Sequence, residues 1–323
     1  MIRILITCLC LGGWNSVYAQ FCPENPVDQL FYQPLNVDLQ YSESIWIERF
    51  RLLKATGIDR LTLQWTAYGE TDYRYASTAD GEPFLEVIGH AASLSNIDLQ
   101  IGLYSDPEWF DKTAESGAEN LESYLDTLRQ RSISQAQLLI EEFPDLEISS
   151  WYLSEEINDQ DWNDEGQRLL LQHHFSQTVT ELQTLKPDTA VAVSGYSAGV
   201  LSDTELAEFW NELLTESDLM LWFQDGRGTE ALSLSDRLRN LDTLNDTLNK
   251  DQWGVLAEFF RLESSTSEEL SAMPAPISSL LTQIRRRQAL GDDIKISGLS
   301  LSYLFENEAS LLLNYKEIYC DTE

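Results

Sequence analysis

Basic residues are scarce in this chain: 21 Lys and Arg stand against 54 Asp and Glu among 323 residues, a formal net charge of −33. Nucleic acids and anionic membrane surfaces are bound through Lys and Arg, so neither partner fits this balance. Solubility accounts for such acidity, and a cationic polymer as substrate is the sharper alternative. Histidine is scarcer still, with only His90, His173 and His174 present. The segment Gly195-Tyr196-Ser197-Ala198-Gly199 has the Gly-x-Ser-x-Gly form of a serine-hydrolase turn, but that chemistry needs a histidine further along the chain. All three lie earlier. His173 and His174 are adjacent, point to different helix faces and make no zinc pair. The acidic stretch 158–166 misplaces the glycine and the last glutamate of a calcium hand and reads as a capped, solvated turn. No metal is expected.

Glycine-rich phosphate turns are missing after the first strand candidate, which argues against a dinucleotide-binding open sheet. No cofactor is implied. Long apolar runs are also missing: Ile4 to Trp14 is too short to span a bilayer, and no later segment does better. Preceded by Arg3 and followed by Val17-Tyr18-Ala19, that run reads as a secretory signal peptide over residues 1–19, with a periplasmic or secreted mature chain from residue 20. Cysteine is limited to four residues. Cys8 and Cys10 fall inside the signal, so Cys22 and Cys320 are expected to pair as a disulfide joining the two chain ends.

What the chain has in plenty is alternation. Strand candidates at Phe31 to Asp38, Arg60 to Trp65, Asp98 to Tyr104, Ile148 to Leu153, Ala190 to Ser194, Leu219 to Gln224, Trp253 to Ala257 and Ile294 to Leu304 are separated by amphipathic segments. The first of these puts Trp46, Phe50 and Leu53 on one helical face and stops at Gly57. The third is expected to run to Phe143 with a break near Ser132, and a last helix is expected over Leu311 to Ile318. Eight strand–helix pairs without a second composition zone predict an α/β fold, a single (β/α)₈ barrel over residues 20–323.

Such barrels place their active sites at the carboxyl ends of the strands. There, Trp151-Tyr152-Leu153-Ser154-Glu155-Glu156 ends the fourth strand in two carboxylates, of which alternation lets only one face a pocket. Trp253-Gly254-Val255-Leu256-Ala257-Glu258 ends the seventh in another. Glycoside hydrolysis needs two carboxyl groups, one protonated and one ionised. Glu156 is the expected acid/base and Glu258 the expected nucleophile of a retaining mechanism; salt bridges, Glu258 with Arg261, are the structural alternative. Gln64, Trp65, Asp106, Trp109, Glu155, Tyr196, Gln224, Asp225 and Tyr303 are candidate substrate contacts, because amides and carboxylates beside flat rings suit sugar.

Phe31-Tyr32-Gln33-Pro34, Thr56-Gly57-Ile58-Asp59 leading into Leu63-Gln64-Trp65, the stretch Trp151 to Asp159, Gln224-Asp225-Gly226 and Glu258-Phe259 together resemble the bacterial family known as domain of unknown function 4434. The resemblance covers nearly the whole mature chain. It implies a glycoside-hydrolase-like TIM barrel, exported and acting on polysaccharide. One departure stands out: retaining barrel glycosidases usually carry Asn before the acid/base glutamate, where this chain has Glu155. The competing reading is a non-catalytic carbohydrate-binding barrel in polysaccharide assembly or export.

Overall fold

The computed structural model describes residues 27–305 other than 28, 116–117, 265–270 and 292. The signal peptide, both cysteines of the expected disulfide and the last helix lie outside the described residues. Eight parallel strands close into a barrel: β1 (Gln29–Tyr32), β2 (Arg60–Leu63), β3 (Asp98–Gly102), β4 (Ile148–Asn158), β5 (Val191–Tyr196), β6 (Leu219–Gln224), β7 (Trp253–Glu258) and β8 (Lys295–Leu299), each paired with its neighbours in sequence and β8 with β1. Helices α1 (Glu43–Ala55), α2 (Phe84–Ser95), α3 (Ala118–Glu142), α4 (Glu165–Leu185), α5 (Asp203–Ser217), α6 (Leu234–Thr247) and α7 (Ile277–Gln288) follow β1 to β7 in turn. This is the (β/α)₈ barrel that the alternation predicts.

The helical periodicity works as expected where it is strongest. Trp46, Phe50 and Leu53 are buried, and Gly57 at φ 83° takes the left-handed turn that follows α1. Elsewhere the structure corrects the boundaries. β1 stops at Tyr32, because Pro34 offers no backbone donor, and Asp38 falls in a 3₁₀ turn instead of a strand. α3 runs through Ser132 unbroken; that side chain is buried on a helix whose backbone ladder has no reason to open there. Residues 301–305 form a short helix, not the end of β8.

Inside the barrel the side chains stack in layers. The floor is polar: Gln29 Nε2 donates to Thr62 Oγ1 at 2.6 Å, Thr62 to Gln100 Oε1 at 2.8 Å, and Gln100 Nε2 to Ser150 Oγ at 2.9 Å. Each buried polar group thereby finds a partner. Above it lies an apolar layer of Phe31, Tyr152, Ala192, Trp222, Leu256 and Leu299, with Phe31 edge-on to Tyr152 at 5.2 Å and to Trp222 at 6.1 Å. Full burial of side chains of this size contributes about 1.5–3 kcal/mol each. The next inward layer is the mouth.

Candidate active site

β4 is the longest barrel strand, and it carries Glu155 and Glu156 well before its end at Asn158. Because the strand persists, alternation holds: Glu156 shares its parity with Tyr152 and faces inward, while Glu155 shares its parity with the buried Trp151 and Leu153 and faces the helices. There it meets His174 of α4 at 3.4 Å, with both side chains buried. The expectation of Glu155 as a substrate contact is therefore corrected. On β5, β6 and β7 the same inward parity brings Tyr196, Gln224 and Glu258 to the mouth.

Glu156, Tyr196, Gln224 and Glu258 line one cavity of about 550 Å³. Phe110, Thr229, Leu232, Arg237 and Asn240 complete much of its wall. Gln224 Nε2 donates to Glu156 Oε1. The Glu258 carboxylate accepts from the backbone N–H of Gly228, so a backbone turn holds it where a salt bridge to Arg261 had been the alternative. That turn must pass close to its surroundings: a Cβ on Gly228 would come within 2.4 Å of the Phe260 ring.

Burial raises both carboxyls. Burial pushes Glu258 up to about 7, the Gly228 N–H opposes this, and the charge of Glu156 adds to it. Burial also raises Glu156, while the Gln224 amide counteracts the shift. Burial, with Glu156 nearby, keeps the Tyr152 and Tyr196 hydroxyls protonated far above their ordinary range. Tyr152 shares a 2.8 Å hydrogen bond with Ser194.

Several expected contacts do other work. Asp225 borders the cavity, but its carboxylate is 0 % exposed and ion-paired with Arg287 of α7; its Oδ1 accepts from the backbone N–H groups of Arg227 at 3.1 Å and Glu258 at 3.3 Å. Asp106 turns to α3 and its approach, accepting from Tyr124 at 3.0 Å and Lys112 at 3.1 Å. Burial would raise its carboxyl, but the Glu108 N–H, Lys112 and Tyr124 outweigh this and hold it below its ordinary value. Trp109 is buried against Trp162 at 5.9 Å, and its Nε1 donates to the Glu156 carbonyl at 2.7 Å, bracing the end of β4. Gln64, Trp65 and Tyr303 lie outside the cavity lining. Gln64 is buried inside the barrel, Trp65 donates to the Pro34 carbonyl at 3.2 Å, and Tyr303 packs on Phe260 at 5.5 Å.

The serine-containing turn after β5 has a structural explanation. Asp159, fully buried, accepts from the backbone N–H groups of Ala198, Val200 at 2.9 Å and Leu201 at 2.8 Å. Hydrogen bonds to a charged acceptor contribute about 1.5–3 kcal/mol each, though not additively. Asp159→Ala is expected to lower stability by at least about 2 kcal/mol in urea unfolding and to loosen the wall at Tyr196; a change under about 0.5 kcal/mol would show that the turn holds itself.

Sequence reasoning missed Arg237, Asn240 and the turn at Gly228. Arg237 and Asn240 lie on α6, whose leucine spacing reads as packing, so no signal marked them out; Gly226 and Gly228 after β6 were the visible hint of a close turn.

With this geometry in hand, comparison with known proteins gives a consistent result. The model of the family described as "Domain of unknown function (DUF4434)" matches residues 27–298. The uncharacterized protein YbcH of Escherichia coli (strain K12) is 30% identical over 278 residues, 85% of this chain and 89% of the relative. Among solved structures, a putative alpha-L-fucosidase from Bacteroides thetaiotaomicron superimposes with a TM-score of 0.71 at 14% identity, covering 99% of this chain and 100% of that one. A GH18 chitinase from Pseudoalteromonas aurantia gives 0.53 at 11% identity over 90% and 98% of the two chains. The PgaB (BpsB) glycoside hydrolase domain from Bordetella bronchiseptica gives 0.53 at 9% identity over 92% and 100%. At such identities the likeness shows the barrel fold. The match over residues 27–298 makes this chain a member of the DUF4434 family.

Proposed function

We propose that the chain is an exported glycoside hydrolase that cleaves a polysaccharide with the carboxyl groups of Glu156 and Glu258. The observation that carries this reading is their convergence, from the carboxyl ends of β4 and β7, on one cavity of about 550 Å³. The glycosidase descriptions of several structural neighbours support it by analogy of fold. Export rests on the signal-peptide pattern of residues 1–19.

The electrostatics favour an exchange of the roles that strand position suggests. Glu258 holds its proton up to about pH 7, with the charge of Glu156 contributing, so in this reading Glu258 is the proton donor and Glu156 the carboxylate. In this reading Glu258 gives its proton to the glycosidic oxygen as the bond from the anomeric carbon breaks, and the Glu156 carboxylate attacks that carbon to form a glycosyl ester. Water then displaces Glu156, losing its proton to Glu258, which restores both groups. In this reading Tyr196 contacts the sugar from the same cavity wall, and Gln224 holds Glu156 through its amide.

The test compares Glu156→Ala with Glu258→Ala on a cleaved polymer and on the matching aryl glycoside with a good leaving group. Glu258→Ala is expected to lose about 10²–10⁴-fold on the polymer, where proton donation matters, and far less on the aryl glycoside. Glu156→Ala is expected to lose both. The opposite pattern would return the roles to those expected from strand position. Polymer binding by the wild type without release of reducing ends would favour a non-catalytic carbohydrate-binding barrel instead.

A further inference from the structure

We infer that the substrate presents a carboxylate, as a uronic acid residue does, and that Arg237 receives it beside the two catalytic carboxyls; this rests on the carbohydrate-cleaving reading above. Over the whole chain acids outnumber bases 54 to 21, yet on the wall built by α6 and α7 the balance reverses. Arg227, Arg237 and Arg286 line a groove of about 420 Å³ in which Glu230 is the only acid among the described residues, and this groove joins the catalytic cavity at Leu232 and Arg237. Glu230 is paired with Arg227. Arg237 and Arg286 have no ion-pair partner among the described residues.

Arg237 is held ready. Ser233 caps α6 by accepting from the Asp236 N–H at 3.2 Å, which fixes the first helical turn on which Arg237 stands. Its Nη1 donates to the Gly226 carbonyl at 3.1 Å, and its stem lies against Gly226. Nε is buried without a partner. Nη2 is thus the donor left open to a ligand, and a planar carboxylate that reaches it and draws in beside the unpartnered Nε forms two parallel hydrogen bonds with that edge. Behind it, Gln283 of α7 is 4% exposed with neither amide atom partnered, and it shares a cavity of about 90 Å³ with Arg237.

The charge at this point is only partly compensated as well. Partial burial draws the guanidinium below its ordinary value, the charge of Glu258 opposes that, and nearby Arg286 adds to it. An incoming anion relieves this cost. By neutralising Arg237 it also removes a cation that favours ionisation of Glu258, and so keeps the acid protonated. A neutral sugar does neither.

The experiment uses the full mature chain with three probes: uronic-acid oligosaccharides, their carboxyl-reduced forms, and neutral oligosaccharides bearing sulfate esters. Wild-type protein is expected to favour the uronic-acid form over its reduced form by about 10–100-fold in kcat/KM, the range for a charge-assisted bond. In Arg237→Gln that ratio should collapse towards one, chiefly through KM, and Arg237→Lys, a point charge without the planar fork, should keep part of it. Circular dichroism of each variant separates this result from misfolding, and Arg286→Gln, at an exposed site, gives a second, smaller reduction that needs no core change. Equal or better cleavage of the carboxyl-reduced form by the wild type overturns the inference while leaving the hydrolase standing. Preference for the sulfated form overturns the assignment to a carboxylate. Cleavage of none of these and of no neutral polymer removes the hydrolase reading, and this inference with it.

Discussion

Glu258→Gln is expected to slow polymer hydrolysis by about 10²–10⁴-fold and, above pH 7, to make the protein more stable than the wild type. Glu258 is 1% exposed, and burial together with the charge of Glu156 pushes its carboxyl from an ordinary 4.5 up to about 7. The sign follows from proton linkage. A carboxyl raised in the fold binds its proton more tightly there than in the unfolded chain, so its contribution is fully favourable below pH 4.5, shrinks as pH rises, and is lost once the folded group ionises near 7. Over that window the wild type gives up about 3 kcal/mol, the equivalent of the difference between the two titration points. Glutamine cannot ionise, and its amide oxygen still accepts from Gly228. Urea unfolding should therefore show the variant gaining up to about 3 kcal/mol at pH 8 and almost nothing at pH 4.5, while activity falls by about 10²–10⁴-fold. Parallel stability curves for the two proteins would mean that Glu258 titrates like a solvent-exposed carboxylate, and would remove it as the acid. A group that lowers stability at neutral pH needs a functional explanation, and proton donation supplies one.

That carboxyl was legible from the sequence because two independent regularities met there: period-two alternation along an apolar strand, and the rule that barrel strands present function at their carboxyl ends. The same alternation separates Glu156 from Glu155, and it does so because β4 continues to Asn158. Where that strand ends was not legible, since polar residues inside a strand look like the loop that follows it. The surrounding contacts were harder for a different reason. Asp225 and Asp106 sit at strand ends as a substrate contact would, yet the partners that claim them, Arg287 on α7 and Tyr124 with Lys112 before and on α3, are distant in sequence or of a kind that reads as helix surface. Composition and spacing do not say which of two helices leans over a given strand end. Trp109 shows the limit most plainly: an aromatic beside the mouth suits a sugar platform, but its indole N–H is held by the Glu156 carbonyl and its ring by Trp162. Arg237 shows the converse, a cleft residue that helical spacing files among the solvated positions of α6.

The second large effect concerns the residue that anchors the turn holding Glu258. Arg287→Met is expected to destabilise the protein by about 3–5 kcal/mol, the usual cost of leaving one member of a buried ion pair alone. Arg287 is 6% and Asp225 0% exposed in their side chains, so water cannot replace the lost partner. Against a typical total stability of about 5–15 kcal/mol, a loss of that size is visible in any denaturant titration. Arg287→Lys should recover only part of it, because an ammonium lacks the planar fork. The double variant Asp225→Leu, Arg287→Met should be more stable than Arg287→Met alone, since it removes the orphaned charge as well as its partner. Stability and activity then part company. Asp225 Oδ1 receives the N–H group of Arg227, within the turn whose Gly228 N–H reaches the Glu258 carboxylate, and that of Glu258 at the end of β7. With leucine at 225 the turn has no such acceptor, so the double variant should remain folded and still hydrolyse poorly, with a lower kcat and a shifted acidic or basic limb in its pH profile. Recovery of both stability and activity in the double variant would mean that the pair only fills space, and that the Gly228 turn keeps Glu258 in position without it.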